Sequence, residues 1–371
     1  MSRNPPLGFL EFFAGGGMAR LGLGEAWSCL YANDFDPVKA ATYRANHADA
    51  AEHFRQGDVW AVQPADLPGR ADLAWASSPC QDFSLAGTRA GLTGGRSSAF
   101  FGFWRLVEAL NSQGRAPRAI VIENVVGLFT SHGGKDFEAL CAALAGQGYR
   151  FGALEVDASA FTPQSRPRVF VIATLEAVGA RTGRCGFHSK AVVQAHDRLP
   201  EALKASWIWW DLPAPPARNA DLSALLEDDD AVTWKPQADT ARLLAQMTPL
   251  HRARLDGPGR TVGAVYRRTR AGTPQAEVRT DGLAGCLRTA RGGSSRQTLV
   301  VSQDGVIRSR LLTPREGARL MGLPDSYVLP AGSTAAFHVI GDGVAVPVVR
   351  WLSTHLLEPL LRDSVNPLAA E

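Results

Sequence analysis

Short apolar runs alternate with segments of helical periodicity through the first half of the chain. Apolar runs of this length, without strict apolar–polar alternation, are typical of strands buried on both faces of a sheet. The predicted strands span residues 7–13, 29–32, 73–76, 119–122, 150–156 and 169–173, and the predicted helices include 18–23, 38–46, 98–110 and 140–144. This order predicts an α/β fold with a doubly wound, Rossmann-like sheet and helices on both faces.

The alternation ends near residue 174. An irregular section follows, with the run Trp207-Ile208-Trp209-Trp210, several prolines and an acidic stretch at 227–230. Regular structure resumes at Thr313-Pro314, the cap and first residue of a predicted helix. We therefore predict a sheet domain formed by 1–183 and 338–371, a smaller inserted domain at 184–312, and a hinge at 313–337.

Composition narrows the class of protein. A hydrophobic content of 45% with 20% charged residues is ordinary for a globular chain. The five cysteines are odd in number and include no CxxC pair, which argues against a disulfide framework or a zinc site and favours a reducing compartment. The N-terminus has no signal-peptide pattern, and no apolar run approaches the roughly 20 residues of a membrane span. We predict a cytoplasmic protein without membrane or metal.

Positive charge is concentrated in one section of the chain. Residues 242–310 contain 13 arginines, no lysine and four acidic residues, a net charge of +9, whereas the whole chain carries only +3. The remainder is therefore acidic. A local surplus of this size is the electrostatic footprint expected for a nucleic-acid partner.

Reactive side chains follow the ends of predicted strands. Cys80 comes after the apolar run 73–76 and Pro79, at the start of a glycine-rich loop, which is a suitable place for a nucleophile. The alternative for a cysteine is a small buried hydrophobe. Glu123 ends the run 119–122, where α/β folds bind ligands, although it could cap a turn. Arg166 and Arg168 alternate before a strand and would share one face, suited to an anion or a base or to a solvated edge.

A glycine turn joins the first strand to the first helix. The turn Ala14-Gly15-Gly16-Gly17 lets a ligand approach the backbone, and a helix N-terminus favours a negative group. Asp34 and Asp36, at the tip of the second strand, are spaced to bind ribose hydroxyls, with helix capping the alternative for Asp36. Asp58 lies in a short tip, Gly57-Asp58-Val59-Trp60, where an acid could accept from an adenine amino group. The pattern is a poor dinucleotide fingerprint, because Arg20 replaces its third glycine.

In combination, these blocks resemble the DNA (cytosine-5) methyltransferase family of bacterial type, from residue 9 to about 351 except in the middle section. PCQ followed by ENV and QxRxR at these separations is highly specific. The matching blocks are Phe12-Phe13-Ala14-Gly15-Gly16-Gly17, Asp34, Gly57-Asp58, Pro79-Cys80-Gln81, Glu123-Asn124-Val125, Gln164-Ser165-Arg166-Pro167-Arg168, 315–324 and the turn at Gly341. The chain departs from the family at Asp342, usually Asn, and at Ser77-Ser78, often Gly-Phe.

The resemblance implies a DNA (cytosine-5-)-methyltransferase that moves a methyl group from S-adenosylmethionine to carbon 5 of a flipped-out cytosine, leaving S-adenosylhomocysteine. It implies a covalent bond from Cys80 to carbon 6, with Glu123 at N3 and the amino group and Arg166 at O2. The implied cofactor residues are Phe13, Ala14, Gly15, Gly17, Asp34, Phe35, Asp58, Val59, Pro79, Asp342 and Gly343. The expected DNA contacts are Gln81, Ser84, Gln164, Arg168, Arg288, Arg291 and Arg296.

The inserted section 184–312 then becomes a target-recognition domain, and the expected partner is double-stranded DNA. We expect a monomer, with a cognate restriction endonuclease in the cell as an open alternative to an orphan enzyme. Two other functions remain open: a transfer RNA cytosine-5 methyltransferase, and a catalytically silent DNA-binding protein of the same fold.

Overall fold

The computed structural model describes residues 5–78, 99–179, 182–218, 220–270, 272–288 and 296–363. The chain divides into two compact units. Unit 1 comprises Met1–Val156, Pro167–Pro215 and Val348–Glu371, and unit 2 comprises Asp157–Arg166 and Pro216–Pro347.

A seven-stranded sheet organises unit 1. Its strands are β1 Leu7–Phe12, β2 Trp27–Asp34, β3 Phe54–Gln56, β4 Leu73–Ala76, β5 Ala119–Asn124, β6 Arg150–Asp157 and β7 Pro167–Thr174. Their order is β3-β2-β1-β4-β5-β7-β6. The pairs from β3 to β5 are parallel, whereas β7 is antiparallel to β5. The predicted mixed α/β fold is confirmed.

Helices flank the sheet because their apolar faces pack against its buried strands. The helices of this part of the chain are α1 Met18–Leu23, α2 Pro37–Asn46, α3 Ala50–His53, α4 Ala99–Ser112, α5 Lys135–Gly146, α6 Lys190–Asp197 and α7 Glu201–Lys204. Every residue of β4 and β5 is buried, as the continuous apolar runs predict. The main core joins Phe12 of β1, Ile122 of β5 and Phe103 of α4.

Unit 2 contains a four-stranded antiparallel sheet of order β11-β10-β8-β9. Its strands are β8 Arg260–Arg270, β9 Thr273–Arg279, β10 Thr298–Gln303 and β11 Val306–Leu311, preceded by helices α8 Gln237–Ala245 and α9 Pro249–Ala253. Leu243, Val278 and Val300 belong to its small core.

Four further helices follow along the chain: α10 Pro314–Leu320, α11 Ser333–Asp342, α12 Val346–Leu352 and α13 Glu358–Asp363. The first two belong to unit 2, and α13 belongs to unit 1.

The boundary between the units falls at 215/216, whereas the sequence places it at 183/184. The tryptophan run explains the difference. Trp207 pairs with Phe151 of β6 and lies in the main core, and the indole of Trp210 donates to the Ile172 carbonyl of β7 at 3.2 Å. The run therefore belongs to unit 1, and the predicted hinge at 313–337 lies within unit 2.

The C-terminal helical region, Ser333–Arg362, is long and apolar enough to pass a composition test for a membrane span. More than half of its most apolar window is buried inside the protein. Core helices pass the same test, so this region carries little weight as a membrane anchor.

A buried ion pair fixes the start of α10. Thr313 caps the helix as predicted, accepting from the Glu316 N–H at 3.2 Å while the Glu316 carboxylate accepts from the Thr313 N–H at 2.9 Å. The same carboxylate receives two hydrogen bonds from Arg310 of β11, at 2.7 and 2.5 Å, and one from the Glu227 N–H. Both charged side chains are fully buried. Removing either partner of such a pair leaves the other as a buried charge without compensation, which is strongly destabilising.

We expect Glu316→Ala to lower the free energy of unfolding by about 3–5 kcal/mol, because it strands the buried Arg310 guanidinium and removes the capping box. Urea unfolding would measure the loss. Asp325→Ala is the matched control: Asp325 forms an exposed ion pair with Arg319 of the same helix, and its removal should leave stability unchanged. Equal stability of the Glu316 variant would contradict this assignment.

Candidate functional site

The order of the strands reverses at the neighbouring pair β1 and β4. From β1 the chain extends outward to β2 and β3, and then crosses to β4 and β5 on the other side. In open α/β sheets, ligands bind outside the carboxyl ends of strands at this reversal. The glycine turn follows β1, and Ser77 and Ser78 follow β4. The candidate residues therefore lie at the edge where this topology binds ligands.

The turn after β1 has an unusual backbone. Phe13, Gly15 and Gly17 have φ values of 58°, 56° and 78°, a region that ordinary side chains rarely adopt. A Cβ on Gly17 would lie 2.1 Å from Nε2 of His47, so this position requires glycine. A Cβ on Gly15 would meet no atom within 4 Å. The turn is therefore packed on one side and open on the other, as a ligand cradle must be.

Asp34 fixes this turn from the end of β2. Its carboxylate accepts from the Gly15 N–H and from the Asp36 N–H, each at 2.8 Å. Burial raises the pKa of the Asp34 carboxyl, with Lys39 and the two backbone N–H groups acting in the opposite direction. Asp36 is the N-cap of α2, accepting from Val38 and Lys39. Of the two acids that spacing left open, Asp36 has the capping role.

Three more predicted cofactor residues surround the open side of the turn. Phe35 is 72% exposed, which is unusual for a phenyl ring and suits stacking on a planar ligand. Asp58 is exposed and caps a short helical turn, accepting from the Trp60 N–H at 3.0 Å, while Val59 is buried. Phe13 is half-buried against the main core. An open glycine cradle, an exposed ring and two carboxylates fit an adenosine-like group with a polar tail.

Sequence reasoning missed Glu11. It lies within β1, is 0% exposed, and neither carboxyl oxygen has a hydrogen-bond partner among the residues that the structure describes. Burial raises the pKa of the Glu11 carboxyl to about 8, with Arg20 opposing the rise. The signal was available, because an acid inside an otherwise apolar strand is rarely buried without a role.

Glu123 and Arg168 meet beside the reversal. Glu123 is buried near the end of β5, and Arg168 lies near the start of β7, where Phe170 is the register partner of Glu123. Period-two alternation puts Arg168 on the face of Phe170, and its Nε lies 3.2 Å from a Glu123 oxygen. This places a carboxylate and a guanidinium together at the carboxyl end of a buried strand.

Asn124 connects this pair to the strand that precedes Cys80. Its side-chain amide donates to the Ser78 carbonyl at 3.1 Å, which holds the end of the β4 segment against β5. Cys80, Pro79, Gln81 and Ser84 lie outside the described residues, as does Arg291. The described flank nevertheless shows that the chain leaves for Cys80 from a point beside Glu123 and Asn124.

Arg166 has different partners from Arg168, so the predicted shared face is corrected. Arg166 precedes β7 and is only 1% exposed. Its guanidinium donates to the carbonyls of Leu287, Gly341 and Gly343 at 3.0, 2.9 and 2.6 Å. Burial and this use of its donors do not favour a contact with cytosine O2. Of the predicted cofactor residues, Gly343 takes part in this contact through its carbonyl, and the neighbouring Asp342 is exposed.

The DNA contact expected for Gln164 is also corrected. Gln164 is 0% exposed, its amide N–H donates to the Leu320 carbonyl at 3.0 Å, and its oxygen accepts from the Leu287 N–H at 3.1 Å. The Gln164 side chain therefore has a structural role, because it connects two segments of unit 2 by hydrogen bonds. Arg288, by contrast, is exposed, and Arg296 is half-buried.

Ion pairs reduce the positive surplus of residues 242–310. Within the described residues, seven of its 13 arginines contact carboxylates: Arg242, Arg260, Arg268, Arg270, Arg279, Arg308 and Arg310. Asp229 alone serves two of them, from outside the section. The exposed arginines without an ion pair in this part of the chain include Arg252, Arg267 and Arg288. In the portion described, no cluster of His, Cys, Asp and Glu could hold a metal ion.

The sheet order, the glycine turn and the acid after β2 define the class: this is the fold of S-adenosylmethionine-dependent methyltransferases. The family profile "C-5 cytosine-specific DNA methylase" matches residues 7–358. The chain belongs to this family, and its cofactor is S-adenosylmethionine. The resemblance drawn from the sequence is confirmed.

Curated relatives and solved structures agree with this assignment. The chain is 26% identical to the type II methyltransferase M.HpaII of Haemophilus parainfluenzae, over 95% of this chain and 89% of the relative. It is also 26% identical to the type II methyltransferase M.HhaI of Haemophilus parahaemolyticus, over 94% of each. Its fold resembles the crystal structure of S. pombe Dnmt2 methyltransferase, with a TM-score of 0.62 and 19% identity over 95% of this chain and 99% of that one.

We expect Asp34→Asn to weaken binding of S-adenosylhomocysteine by at least about tenfold, because an amide has one acceptor oxygen where the carboxylate serves two backbone N–H groups. Isothermal titration calorimetry would measure the affinity. Asp36→Asn is the matched control, since asparagine caps helices as well as aspartate. Unchanged affinity in the Asp34 variant would show that the turn does not depend on this carboxylate.

Proposed function

We propose that this protein methylates carbon 5 of a flipped-out cytosine in a specific duplex DNA sequence, through a transient covalent bond between Cys80 and carbon 6. The observation that carries the proposal is the Glu123–Arg168 pair beside the strand end that leads to Cys80. A carboxylate and a guanidinium at this edge suit a flat, polar ring, and the family supplies the reaction type.

Residues of unit 1 would hold the cofactor. Asp34 would bind the ribose hydroxyls, Phe35 and Phe13 would contact the adenine, Asp58 would accept from its amino group, and the Gly15 turn would accommodate the polar tail. We also carry forward Asp342 and Gly343 of unit 2 as candidate cofactor residues. When bound, S-adenosylmethionine supplies an electrophilic methyl group.

Cys80 would act first. Carbon 5 of cytosine is a weak nucleophile, so the Cys80 thiolate adds to carbon 6 and the displaced electron pair makes carbon 5 nucleophilic. Carbon 5 then bonds to the methyl group, whose former bonding pair stays on the cofactor sulfur. A base removes the carbon 5 proton, the pair left behind re-forms the ring double bond, and the Cys80 thiolate departs.

Glu123 and Arg168 would stabilise the ring during the addition. A carboxyl at N3 and the amino group fixes the base and offsets the charge that addition pushes onto the ring. The Arg168 guanidinium, 3.2 Å from Glu123, can orient that carboxyl and reach the neighbouring carbonyl oxygen O2. We therefore assign to Arg168 the base contact that the sequence assigned to Arg166, and make Arg166 a positioning residue of unit 2.

Duplex DNA is the favoured substrate. The reacting carbon is inaccessible in a stacked helix, so the cytosine must be flipped out. Exposed arginines of unit 2, Arg252, Arg267 and Arg288, are suited to phosphate and base contacts, together with Arg291 and Arg296. The curated relatives are named type II methyltransferases. These names support a cognate restriction endonuclease as a partner in the cell over an orphan enzyme, and we carry forward the prediction of a cytoplasmic monomer.

The decisive test is covalent trapping on duplex DNA that contains 5-fluorocytosine, in the presence of S-adenosylmethionine. Fluorine at carbon 5 cannot leave as a proton does, so the adduct should persist on a denaturing gel, with the DNA mapped to Cys80 by mass spectrometry. We expect no adduct with Cys80→Ser, and about 10²-fold slower trapping with Glu123→Gln.

Cys185→Ser is the matched control, a half-buried cysteine that should trap as well as the unmodified protein. Substrate DNA would be a library of sites, because the recognition sequence is unknown. Trapping on fluorocytosine-containing transfer RNA but not on any duplex DNA would contradict the proposal that DNA is the substrate. It would leave the proposed covalent mechanism unchanged. An adduct on another residue would overturn the role of Cys80.

The two arginines of the QxRxR motif should separate in their effects. Arg168→Ala should lower kcat by about 10²-fold, because it removes the guanidinium that orients the Glu123 carboxyl. Arg166→Ala should lower the free energy of unfolding by at least about 2 kcal/mol, because three carbonyls, two of them on buried residues, lose their donor. Steady-state methylation and urea unfolding would measure both. A loss of kcat in the Arg166 variant with normal activity in the Arg168 variant would instead assign the base contact to Arg166.

A further inference from the structure

A cavity of about 360 Å³ lies in unit 1, within the tryptophan run that the reaction does not use. We name it the tryptophan–arginine cavity. It is lined by Arg150, Thr182, Gly183, Arg184, Trp207, Ile208 and Trp209. Its volume is at the lower end of the range for small-molecule sites.

The cavity is remote from the reversal of strand order. Val169, near the start of β7, pairs with Asn124 at the carboxyl end of β5, and Thr174 pairs with Ala119 at the opposite edge. Arg150 begins β6, and the preceding segment lies at that opposite edge: the Tyr149 hydroxyl donates to the Pro117 carbonyl at 2.6 Å. A ligand here would be neither the target base nor the cofactor.

The cavity is built on paired backbone. Along the β6 edge, the Phe151 N–H donates to the Ser206 carbonyl at 2.9 Å and the Phe151 carbonyl accepts from the Ile208 N–H at 2.6 Å. The Gly183 N–H donates to the Trp209 carbonyl at 2.7 Å. Gly152 has to be glycine, because a Cβ there would lie 1.9 Å from the Ile208 oxygen. These contacts hold the lining in place without a ligand, so the cavity is preformed.

The lining combines cations with aromatic rings. The Arg184 guanidinium lies 4.1 Å from the centre of the Trp209 ring, and both Arg184 and Arg150 are exposed, without an ion pair to any residue the structure describes. Asp211 lies at the rim, beside Gly183. A guanidinium supported by an indole is a flat, positively charged platform, the surface on which proteins stack unpaired bases.

The aromatic part of the lining, Trp207 and Trp209, forms a packed cluster with His196. Trp207 is 7% exposed, and its indole N–H has no hydrogen-bond partner among the described residues. Tryptophan usually finds an acceptor for this group when it is buried. His196 packs between the two indoles, 5.2 Å from Trp207 and 4.7 Å from Trp209, but its Nδ1 is already bonded to Asp197. The site therefore offers cations and aromatic rings to an acceptor-rich ligand.

We propose that the tryptophan–arginine cavity binds an unpaired nucleotide, with its base on the Arg184–Trp209 platform and its phosphate on Arg150. The base contributes a planar ring, and the phosphate contributes the acceptors and negative charge that the lining lacks. The nucleotide can be free, or it can be the unpaired end of a DNA strand. Either source presents the same chemistry.

The test is titration of the full chain with dTMP under saturating S-adenosylhomocysteine, which blocks the cofactor site. Tryptophan fluorescence and the phosphorus resonance of dTMP would both report binding. We expect Arg184→Ala and Trp209→Ala to weaken dTMP binding by about tenfold or more, because each removes part of the stacking platform. Trp209→Phe keeps an aromatic face and should retain most of the affinity for dTMP. That result would show that a substitution at this position leaves the cavity folded.

Arg44→Ala is the matched control, an exposed guanidinium 5.0 Å from the Phe54 ring that does not line the tryptophan–arginine cavity, and it should bind dTMP normally. Two duplexes, one blunt and one with an unpaired terminal thymidine, separate the sources. A preference for the overhang that Arg184→Ala abolishes identifies DNA, and dTMP binding without that preference identifies a free nucleotide. Absence of dTMP binding, equal affinity of deoxyribose 5-phosphate, or normal binding by Arg184→Ala would overturn the proposal.

Discussion

The reversal of strand order between β1 and β4 is the constraint on which the candidate site depends. Parallel strands that are buried on both faces can expose polar groups only at their ends. Glu123 and Asn124 end β5, Asp34 ends β2, and the glycine turn follows β1. Because these strands are parallel neighbours, their carboxyl ends share one edge. Chemistry is confined to that edge by the same burial that stabilises the sheet.

Burial also explains why many charged groups within each of the two units have fixed partners. Asp34 gives both oxygens to backbone N–H groups, Arg166 donates to three carbonyls, and Glu316 closes both its helix cap and its ion pair with Arg310. Each arrangement replaces water that the group has lost. Glu11 solves the problem differently, since a pKa of about 8 keeps it neutral at neutral pH. A protonated carboxyl avoids the cost of a buried charge.

Much of the fold was accessible from the sequence because it follows local rules. Continuous apolar runs gave the strands, with β4 exact at Leu73–Ala76, and the Thr313-Pro314 pair gave the cap of α10. The two arginines were harder. Alternation predicts a shared face only while the strand lasts, and β7 begins at Pro167, after Arg166. Gln164 likewise resembles a base-reading side chain until its partners are known, and these lie more than 120 residues away.

The arginine-rich section, residues 242–310, shows the same limit of local sequence reasoning, here for electrostatics. A count of formal charges treats every arginine as available to a partner, whereas a guanidinium in contact with a carboxylate contributes little field beyond a Debye length. Three carboxylates outside the section, Asp229, Asp239 and Glu316, pair with four of its arginines. The positive sign predicted for the section is therefore right, but its charge was overestimated. The effective charge rests on arginines that are exposed and unpaired among the described residues, among them Arg252, Arg267 and Arg288. Long-range contacts, which no window of sequence contains, therefore decide which arginines remain available to contact DNA.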